Sequence, residues 1–251
     1  MIIKELVKLK EINKVTSACY SMAQDGVMEY IDCTNNATLD MERTDSFTIS
    51  AWVKLNSYSL TVSSPIVNKW DLILNRGYQF RINSTGKIEF LFYTCFPCGS
   101  AQIFIQTTTI VPLNQWVNIT LSYDGTSFAA GSTIYLNGVS QAFSIIGNSL
   151  AFTTLNNANF YIGHLFTNYM DGLFYNVKMW NIELTAGEVL TQYNASAGAT
   201  PVQAASLILN TDIQNSTWNG SEYDIPDLTG ITAGYTTVNA EVEDRVEDCP
   251  S

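Results

Sequence analysis

The sequence predicts an all-β fold, and three observations support that prediction. Apolar residues make up 46% of the 251-residue chain and charged residues only 14%, against roughly 25% charged in an average globular domain. Thr, Ser and Asn fill the difference, and these residue types suit strands and turns. Apolar and polar side chains alternate along about a dozen short stretches, which turn residues separate at the spacing of a β-sandwich. No apolar run reaches the roughly 18 residues that a membrane-spanning helix needs.

The clearest strand is 47–55, Phe-Thr-Ile-Ser-Ala-Trp-Val-Lys-Leu. Its first, third, fifth, seventh and ninth residues are apolar, which is the two-residue period of a strand with one buried face. Burial of such a side chain contributes roughly 1.5–3 kcal/mol to stability. We therefore expect Ile49→Asp to abolish folding.

Further strands follow the same pattern along the chain. Turn residues at 83–86, Asn-Ser-Thr-Gly, join two of them into a hairpin. Asn137-Gly138 separates two apolar strands, which is the strongest short-range hairpin signal. The predicted strands in this part of the chain are 65–70, 77–82, 87–93, 102–110, 115–125 and 134–139.

Residues 160–193 predict two strands and a short helix. From Leu173 onward the side chains alternate between two faces, one covered and the other nearly covered. One predicted face contains Leu173, Tyr175, Val177 and Met179, and the other contains Phe174, Asn176, Lys178 and Trp180. Thr185 stands three residues before Glu188, the spacing of a capping box. This spacing predicts a helix from about Ala186 to near Asn194.

Several of these blocks resemble one family of domains. The blocks are 21–32, 47–53, 115–125, 161–163 and 171–188, the last containing Asp-Gly, Val-Lys-Met-Trp-Asn and Leu-Thr-x-x-Glu. They are similar to laminin-G-like domains, which are jelly rolls of the concanavalin A-like lectin and glucanase superfamily. The resemblance covers roughly residues 16–235 and implies a two-sheet antiparallel jelly-roll sandwich with one short helix. It implies no particular activity, because this architecture occurs in lectins, glycanases, adhesion modules and spacers.

The late part of the chain resembles the opening of such a domain. Residues 207–210, 218–220 and 227–230 look like the strand and turn that usually come first, and these are missing upstream of residue 19. We therefore expect a circularly rearranged sandwich at 16–236 whose segment 205–232 completes the sheets. Residues 1–15 are interpreted as an N-terminal docking arm and residues 237–251 as an acidic tail.

The net charge of −11 is unevenly distributed. Residues 1–14 contain four lysines and two glutamates, a net charge of +2, whereas residues 212–251 contain nine acids and one base, a net charge of −8. Nucleic acid is not expected as a partner, since a phosphate-binding surface needs clustered Lys and Arg. The two ends either pair with each other or are solvated tails, and the sequence leaves both alternatives open.

The five cysteines are odd in number, and the N-terminus lacks the apolar stretch of a secretion signal. Reduced thiols are therefore the expected state. Cys95-Phe-Pro-Cys98 has the spacing of a zinc or redox pair, but no second Cys or His pair accompanies it. A loop disulfide or two free thiols is the favoured interpretation.

Catalysis is not expected. A glycanase of this superfamily would need paired carboxylates in a Glu-x-Asp-x-x-Glu strand. The most similar stretch is Glu241-Val-Glu243-Asp244, which lacks both the spacing of the paired acids and the alternating apolar residues of a strand. His164 is the only histidine and is interpreted as a loop residue, because a triad would need a nucleophile motif beside it.

Two tryptophans are candidates for binding a ligand. Trp70 and Trp218 stand next to polar loop residues and are the ligand-binding candidates, since exposed aromatic rings can stack on sugar rings. No cofactor or metal is expected, although calcium stays open because many proteins of the resembled family bind it through loop carboxylates. Asp25, Glu29 and Asp171 are the nearest candidates, whereas Tyr175 replaces the acid that the family usually has in its closing strand.

The leading functional prediction is a non-enzymatic structural or attachment protein of a virus particle, a capsid-associated or fibre protein of a bacteriophage. It would be assembled in the host cytoplasm and located in the virion, with residues 1–15 docking on other virion or capsid proteins and the sandwich exposed, where surface glycans could be bound. The alternative is a carbohydrate-binding lectin module, and a glycanase is the third hypothesis. Neither nucleic-acid binding nor membrane insertion is expected, and a homo-oligomer is left open.

Overall fold

The structure is a computed structural model that describes residues 19–59, 63–94, 101–195, 199–230 and 234–250. Its strands, numbered in chain order, are β1 (Ser21–Asp25), β2 (Tyr30–Asp32), β3 (Phe47–Leu55), β4 (Ser63–Asp71), β5 (Arg76–Asn83), β6 (Lys87–Thr94), β7 (Ala101–Ile110), β8 (Val117–Tyr123), β9 (Ser132–Leu136), β10 (Val139–Ser140), β11 (Phe143–Ser149), β12 (Tyr161–Ile162), β13 (His164–Leu165), β14 (Asn168–Tyr169), β15 (Asp171–Trp180), β16 (Leu207–Asn210), β17 (Thr217–Trp218), β18 (Tyr223–Ile225), β19 (Tyr235–Val238) and β20 (Arg245–Val246). Helix α1 is Ala186–Tyr193, and short 3₁₀ helices lie at Ala37–Leu39, Ala129–Gly131, Ala204–Ser206, Ile213–Asn215 and Val242–Asp244.

Within the described ranges the strands form two large antiparallel sheets. The first has the order β10-β9-β8-β3-β15-β1-β20, with β16 also pairing with β15. The second has the order β11-β7-β6-β5-β4-β12-β2-β19-β18-β17. A small hairpin, β13–β14, stands apart from both and contacts β4. The predicted fold class, an all-β sandwich with one short helix, is confirmed.

The core lies between the two sheets, as the two-residue period of the strands requires. In β3 the five alternating apolar residues are completely buried, so the face predicted from the sequence is correct. Phe47 contacts four aromatic rings, with centroid distances of 5.4–6.2 Å, and thereby joins β3 to the opposite sheet. The rings around Phe47 are Tyr78, Phe90, Phe92 and Tyr123.

The predicted faces of β15 were wrong, because this strand contains a bulge. Its register with β3 shifts between Tyr175 and Lys178, and Asn176 adopts a left-handed φ of 56°. One extra residue in a strand reverses the direction of every side chain after it. The residues that reach the main core are Phe174, Val177 and Met179. Lys178 therefore points away from the core, as does Tyr175.

The predicted helix is confirmed together with its cap. Glu188 N donates to Thr185 Oγ1 at 3.3 Å, and Thr185 N donates to the Glu188 carboxylate at 2.9 Å. These two bonds satisfy backbone donors that the first turn leaves unpaired. Val189 packs with Trp180 and Leu184 in a small second cluster on the outer side of the first sheet.

The late part of the chain supplies strands to both sheets. β16 pairs with β15 from Lys178↔Asn210 to Trp180↔Leu207. β19 pairs with β2, and β18 and β17 continue the second sheet beyond it. Residues from 207 onward therefore complete both sheets, and β19 lies beside β2, a strand about 200 residues earlier in the chain.

The C-terminal segment 237–250 contacts the sandwich through β20 and Asp248, whereas the sequence left open whether this acidic end is solvated. β20 pairs with β1, and Asp248 accepts hydrogen bonds from Lys54 Nζ at 2.6 Å and Trp116 Nε1 at 2.8 Å. Asp248 therefore has a cation and an indole N–H as partners, and its charge does not keep this segment in solvent.

Cys19 and Cys249 form a disulfide with a Cα–Cα distance of 5.8 Å. This bond corrects the expectation that the thiols are reduced, and it ties the two ends of the described chain together. Cys33 is a buried free thiol. Cys95 and Cys98, like the predicted arm at 1–15, lie outside the described residues. No helix among the described residues is long and apolar enough to cross a membrane.

Candidate functional site

The two tryptophans chosen from the sequence lie in the same sheet but far apart. Trp70 is near the end of β4, whereas Trp218 is in β17, the last strand of the second sheet. Four strands lie between them in the sheet order, so at a strand spacing of about 4.8 Å their strands are about 24 Å apart. Trp218 packs edge-on against Tyr223, with a centroid distance of 5.1 Å. The structure does not bring the two candidates into one site.

Trp70 belongs to a cluster of aromatic rings on the outer face of the second sheet. Its indole stacks on Tyr93 at a centroid distance of 5.4 Å and contacts the edge of Phe166 at 4.9 Å. Trp70 and Tyr93 are each paired with Gly77 across the sheet. Gly77 adopts a φ of 110°, and a Cβ there would lie 2.0 Å from the carbonyl oxygen of Lys69, so the strand that positions the two rings requires glycine at this point.

A second cluster lies beside the first and was not found from the sequence. His164 stacks on Tyr30 at 4.3 Å and on Tyr169 at 4.9 Å, and Tyr161 contacts its edge at 5.0 Å. Tyr30 and Tyr161 point outward because their neighbours Ile31 and Ile162 are fully buried in the core. The alternation in these short strands was a signal for outward rings, but only the pairing of distant strands shows that the rings meet.

The hairpin β13–β14 joins the two clusters. His164 lies in one cluster and Phe166 in the other, and the His164 Nε2 atom is hydrogen-bonded to the carbonyl oxygen of Phe166 at 2.7 Å. The hairpin therefore holds both rings at fixed separation over the sheet. We call the resulting surface the aromatic strip, and its members, all partly exposed, are Tyr30, Trp70, Tyr93, Tyr161, His164, Phe166 and Tyr169.

The aromatic strip is uncharged at neutral pH. Burial lowers the pKa of His164 below its ordinary value, against the opposing effect of its hydrogen bond to Phe166. Burial raises the pKa of Tyr30 and of Tyr161, so both phenols keep their protons. A neutral ligand with apolar and hydroxyl groups suits such a surface better than an ion does.

Three polar atoms beneath the aromatic strip are buried and have no hydrogen-bond partner among the described residues. They are Trp70 Nε1, His164 Nδ1 and Asn68 Oδ1. A buried polar atom without a partner costs about 1–3 kcal/mol. The hairpin is therefore held over β4 by contacts between aromatic rings, while its unpaired polar atoms cost the folded state free energy.

A polar network beside the aromatic strip is already saturated. The buried Glu89 carboxylate forms an ion pair with Arg81 Nε at 2.8 Å. It also accepts from Asn83 Nδ2 at 2.9 Å and from Gln106 Nε2 at 2.8 Å. These bonds hold Glu89 as a structural carboxylate and leave it little capacity to act on a substrate.

The three calcium candidates are neighbours in the structure. Asp25 pairs directly with Asp171 across β1 and β15, and the Glu29 carboxylate accepts from Asp25 N at 2.6 Å. Burial and the charges of Asp244 and Asp25 raise the pKa of Glu29 to about 7. The described residues contain no group of three His, Cys, Asp or Glu arranged to hold a metal ion.

The comparisons with known proteins identify the fold. The family model of the concanavalin A-like lectin/glucanases superfamily matches residues 25–190. No curated protein matches the chain. A crystal structure of a Bacteroides ovatus protein that is proposed to bind carbohydrate is 19% identical, with a TM-score of 0.58, over 86% of this chain and 58% of that one. The chain thus spans less than two thirds of that protein's length.

Two further solved structures are similar at a lower level. A heptameric pentraxin from Limulus polyphemus is 13% identical, with a TM-score of 0.48, over 70% of this chain and 82% of that one. The binding domain of Paraclostridial Mosquitocidal Protein 1 is 15% identical, with a TM-score of 0.48, over 85% of this chain and 59% of that one. Since the family model covers more than half of the sequence, the chain belongs to the concanavalin A-like lectin/glucanases superfamily.

Proposed function

We propose that this protein is a non-catalytic carbohydrate-binding module whose aromatic strip stacks against sugar rings. The observation that carries the proposal is the continuous set of seven partly exposed rings on one sheet face. The C–H groups of a sugar ring pack on aromatic faces, while phenol and indole groups at the rim offer hydrogen bonds. The proposed carbohydrate binding of the Bacteroides ovatus protein agrees with this role.

Two carboxyl groups, Glu29 and Glu89, are held in arrangements that support a non-catalytic role. Glycoside hydrolysis uses two carboxyl groups about 5–9.5 Å apart, with the glycosidic bond between them. Glu29 and Asp244 are hydrogen-bonded to each other, which is too close for a sugar to enter between them. Glu89 is saturated by its neighbours.

A glycan array probed with the full chain tests binding, and affinity measurements on variants test the site. Tyr161→Ala and Trp70→Ala should each weaken the affinity for an array-positive glycan by about tenfold, which corresponds to 1.4 kcal/mol. Trp218→Ala is the matched control, because it removes an exposed tryptophan of the same sheet outside the aromatic strip. Equal loss in the Trp218 variant, or release of sugar from any polysaccharide, would contradict the proposal.

The virion role predicted from the sequence extends this proposal, since a module that binds surface glycans suits an attachment protein. The docking arm at 1–15 lies outside the described residues, and the acidic segment that favoured this role is packed on the sandwich. A location on a bacteriophage particle therefore stays a prediction. Mass spectrometry of purified particles tests it, and deletion of residues 1–15 should abolish incorporation.

A further inference from the structure

A cavity of about 780 Å³ opens on the outer side of the first sheet, away from the aromatic strip. It lies beside the bulge of β15, where β1 has ended its pairing at Phe174 and β16 begins at Lys178. The loop at 199–204 and the 3₁₀ helix Ile213–Asn215 contribute to its wall. Cavities of roughly 300–1,000 Å³ are typical of small-molecule sites.

Lys178 lines this cavity although only 6% of its surface is exposed. With the Asn176 amide oxygen turned toward it, Lys178 Nζ donates to that oxygen at 3.0 Å, and it makes no ion pair with a described carboxylate. Burial lowers the Lys178 pKa to about 8, against the opposing charge of Asp212. Asn176 takes one of the three N–H donors of Lys178, which leaves two for a ligand. A buried ammonium is normally paired, so these two donors indicate a binding site.

Asn210 supplies the second observation. It is the direct cross-strand neighbour of Lys178, so the two side chains leave the sheet on the same face. Asn210 is 5% exposed, lines the cavity, and its Oδ1 atom has no hydrogen-bond partner among the described residues. The cavity therefore presents a buried cation and an unused acceptor side by side.

The other residues of the cavity wall limit which chemical groups a ligand can carry. The Asp212 carboxylate lines the cavity and accepts from Asn215 N at 3.3 Å and Asn215 Nδ2 at 2.7 Å, which leaves lone pairs for a further donor. Tyr175, which is almost buried, also lines the cavity. Two acceptors beside one cation call for a ligand that carries both a negative charge and hydroxyl donors.

We infer that this cavity binds a small hydroxycarboxylate of the size of a hexuronic acid, with its carboxylate at Lys178 and its hydroxyl groups at Asn210 and Asp212. No ion pair joins Lys178 to Asp212, so one ligand carboxylate can pair directly with the ammonium. A phosphate dianion would place excess negative charge beside Asp212, and a neutral sugar would leave the ammonium unpaired. The site is on the opposite sheet from the aromatic strip, so the inference does not depend on the proposed function.

Calorimetric titration of the full chain carrying Tyr161→Ala and Trp70→Ala, which disable the aromatic strip, with D-glucuronate and D-galacturonate tests the inference. D-glucose, which lacks the carboxylate, and propionate, which lacks the hydroxyl groups, are the control ligands. We expect saturable millimolar or tighter binding of at least one uronate, and at least tenfold weaker binding of both controls. Failure of both uronates to bind in the millimolar range, or equal binding of glucose, would overturn the inference.

Variants locate the binding in the cavity. Lys178→Met should weaken uronate binding at least tenfold without lowering the melting temperature, because it removes a buried charge. Asn210→Ala should also weaken it, whereas Lys87→Met, which replaces a lysine of the other sheet, should leave it unchanged. Retained affinity in Lys178→Met, or equal loss in Lys87→Met, would contradict the assignment to this site.

Discussion

At the scale of single residues, burial of Lys178 costs the folded state free energy. Its pKa falls to about 8 from an ordinary value of 10.5, so the unfolded chain binds more protons than the folded one between these pH values. Stability should therefore rise with pH from about 8 to 10.5 and carry the full penalty below pH 8. The folded protein tolerates this charge without a carboxylate partner among the described residues, which is why we attribute a function to it.

Lys178→Met should stabilise the protein at pH 7 by up to about 3 kcal/mol, since each pKa unit corresponds to about 1.4 kcal/mol. The gain should shrink as the pH rises from 8 to 10.5, where the wild-type lysine becomes neutral. Urea denaturation of both proteins across this range measures the difference. A variant that is less stable than the wild type at pH 7 would show that the ammonium is paired in the fold.

Glu29 has a raised pKa, so its contribution to stability changes with pH in the opposite direction to that of a carboxylate stabilised by an ion pair. The folded state holds a proton that the unfolded state loses between pH 4.5 and about 7, and stability should fall as the pH rises through this window. Glu29→Gln should therefore stabilise the protein at pH 8 and have no such effect at pH 4. The gain should stay below about 1 kcal/mol, because solvent screens this partly exposed group. Thermal melts at the two pH values measure it, and an equal effect at both would refute the account.

At the scale of elements, the bulge in β15 decides which residues face the core and which face the cavity. Its geometry depends on the left-handed φ of 56° at Asn176. Asn tolerates this conformation, whereas other residues with a Cβ pay roughly 1–2 kcal/mol.

Replacing Asn176 by Gly and by Ala separates backbone strain from lost hydrogen bonds, since both variants lose the amide. The Gly variant should be more stable than the Ala variant by about 1 kcal/mol, as measured by chemical denaturation. Equal stabilities would mean that the bulge rearranges when Asn176 is replaced.

The elements also show what local sequence can and cannot predict. The period of β3 and the spacing of Thr185 and Glu188 depend only on near neighbours, and both predictions are confirmed. The faces of β15 were wrong because a bulge is set by pairing with β3 and β16, which lie far away in sequence. Trp70 was a candidate from its local context, but the other rings of the aromatic strip come from three separate stretches of the chain, so the strip could not be predicted.

At the scale of the whole molecule, the disulfide Cys19–Cys249 joins residues 230 positions apart. The sequence could not pair these two cysteines, because their approach follows from the packing of the C-terminal segment beside β1. Closing so long a loop removes much conformational freedom from the unfolded chain.

Cys249→Ser should therefore lower the free energy of unfolding by about 2–5 kcal/mol. Reducing agent should lower the melting temperature of the wild type and leave that of the variant unchanged. Identical melting of the oxidised and reduced wild-type protein would show that this bond does not stabilise the fold.

The central claim is that sugar rings bind on the aromatic strip, and His164 offers a direct probe of it. Because the chain contains a single histidine, the imidazole proton resonances can be assigned without ambiguity in an NMR titration with an array-positive glycan. We expect these resonances to shift in a saturable manner, with a dissociation constant that matches calorimetry and rises about tenfold in Tyr161→Ala. Saturable binding of the glycan without any shift of the His164 resonances would contradict the account.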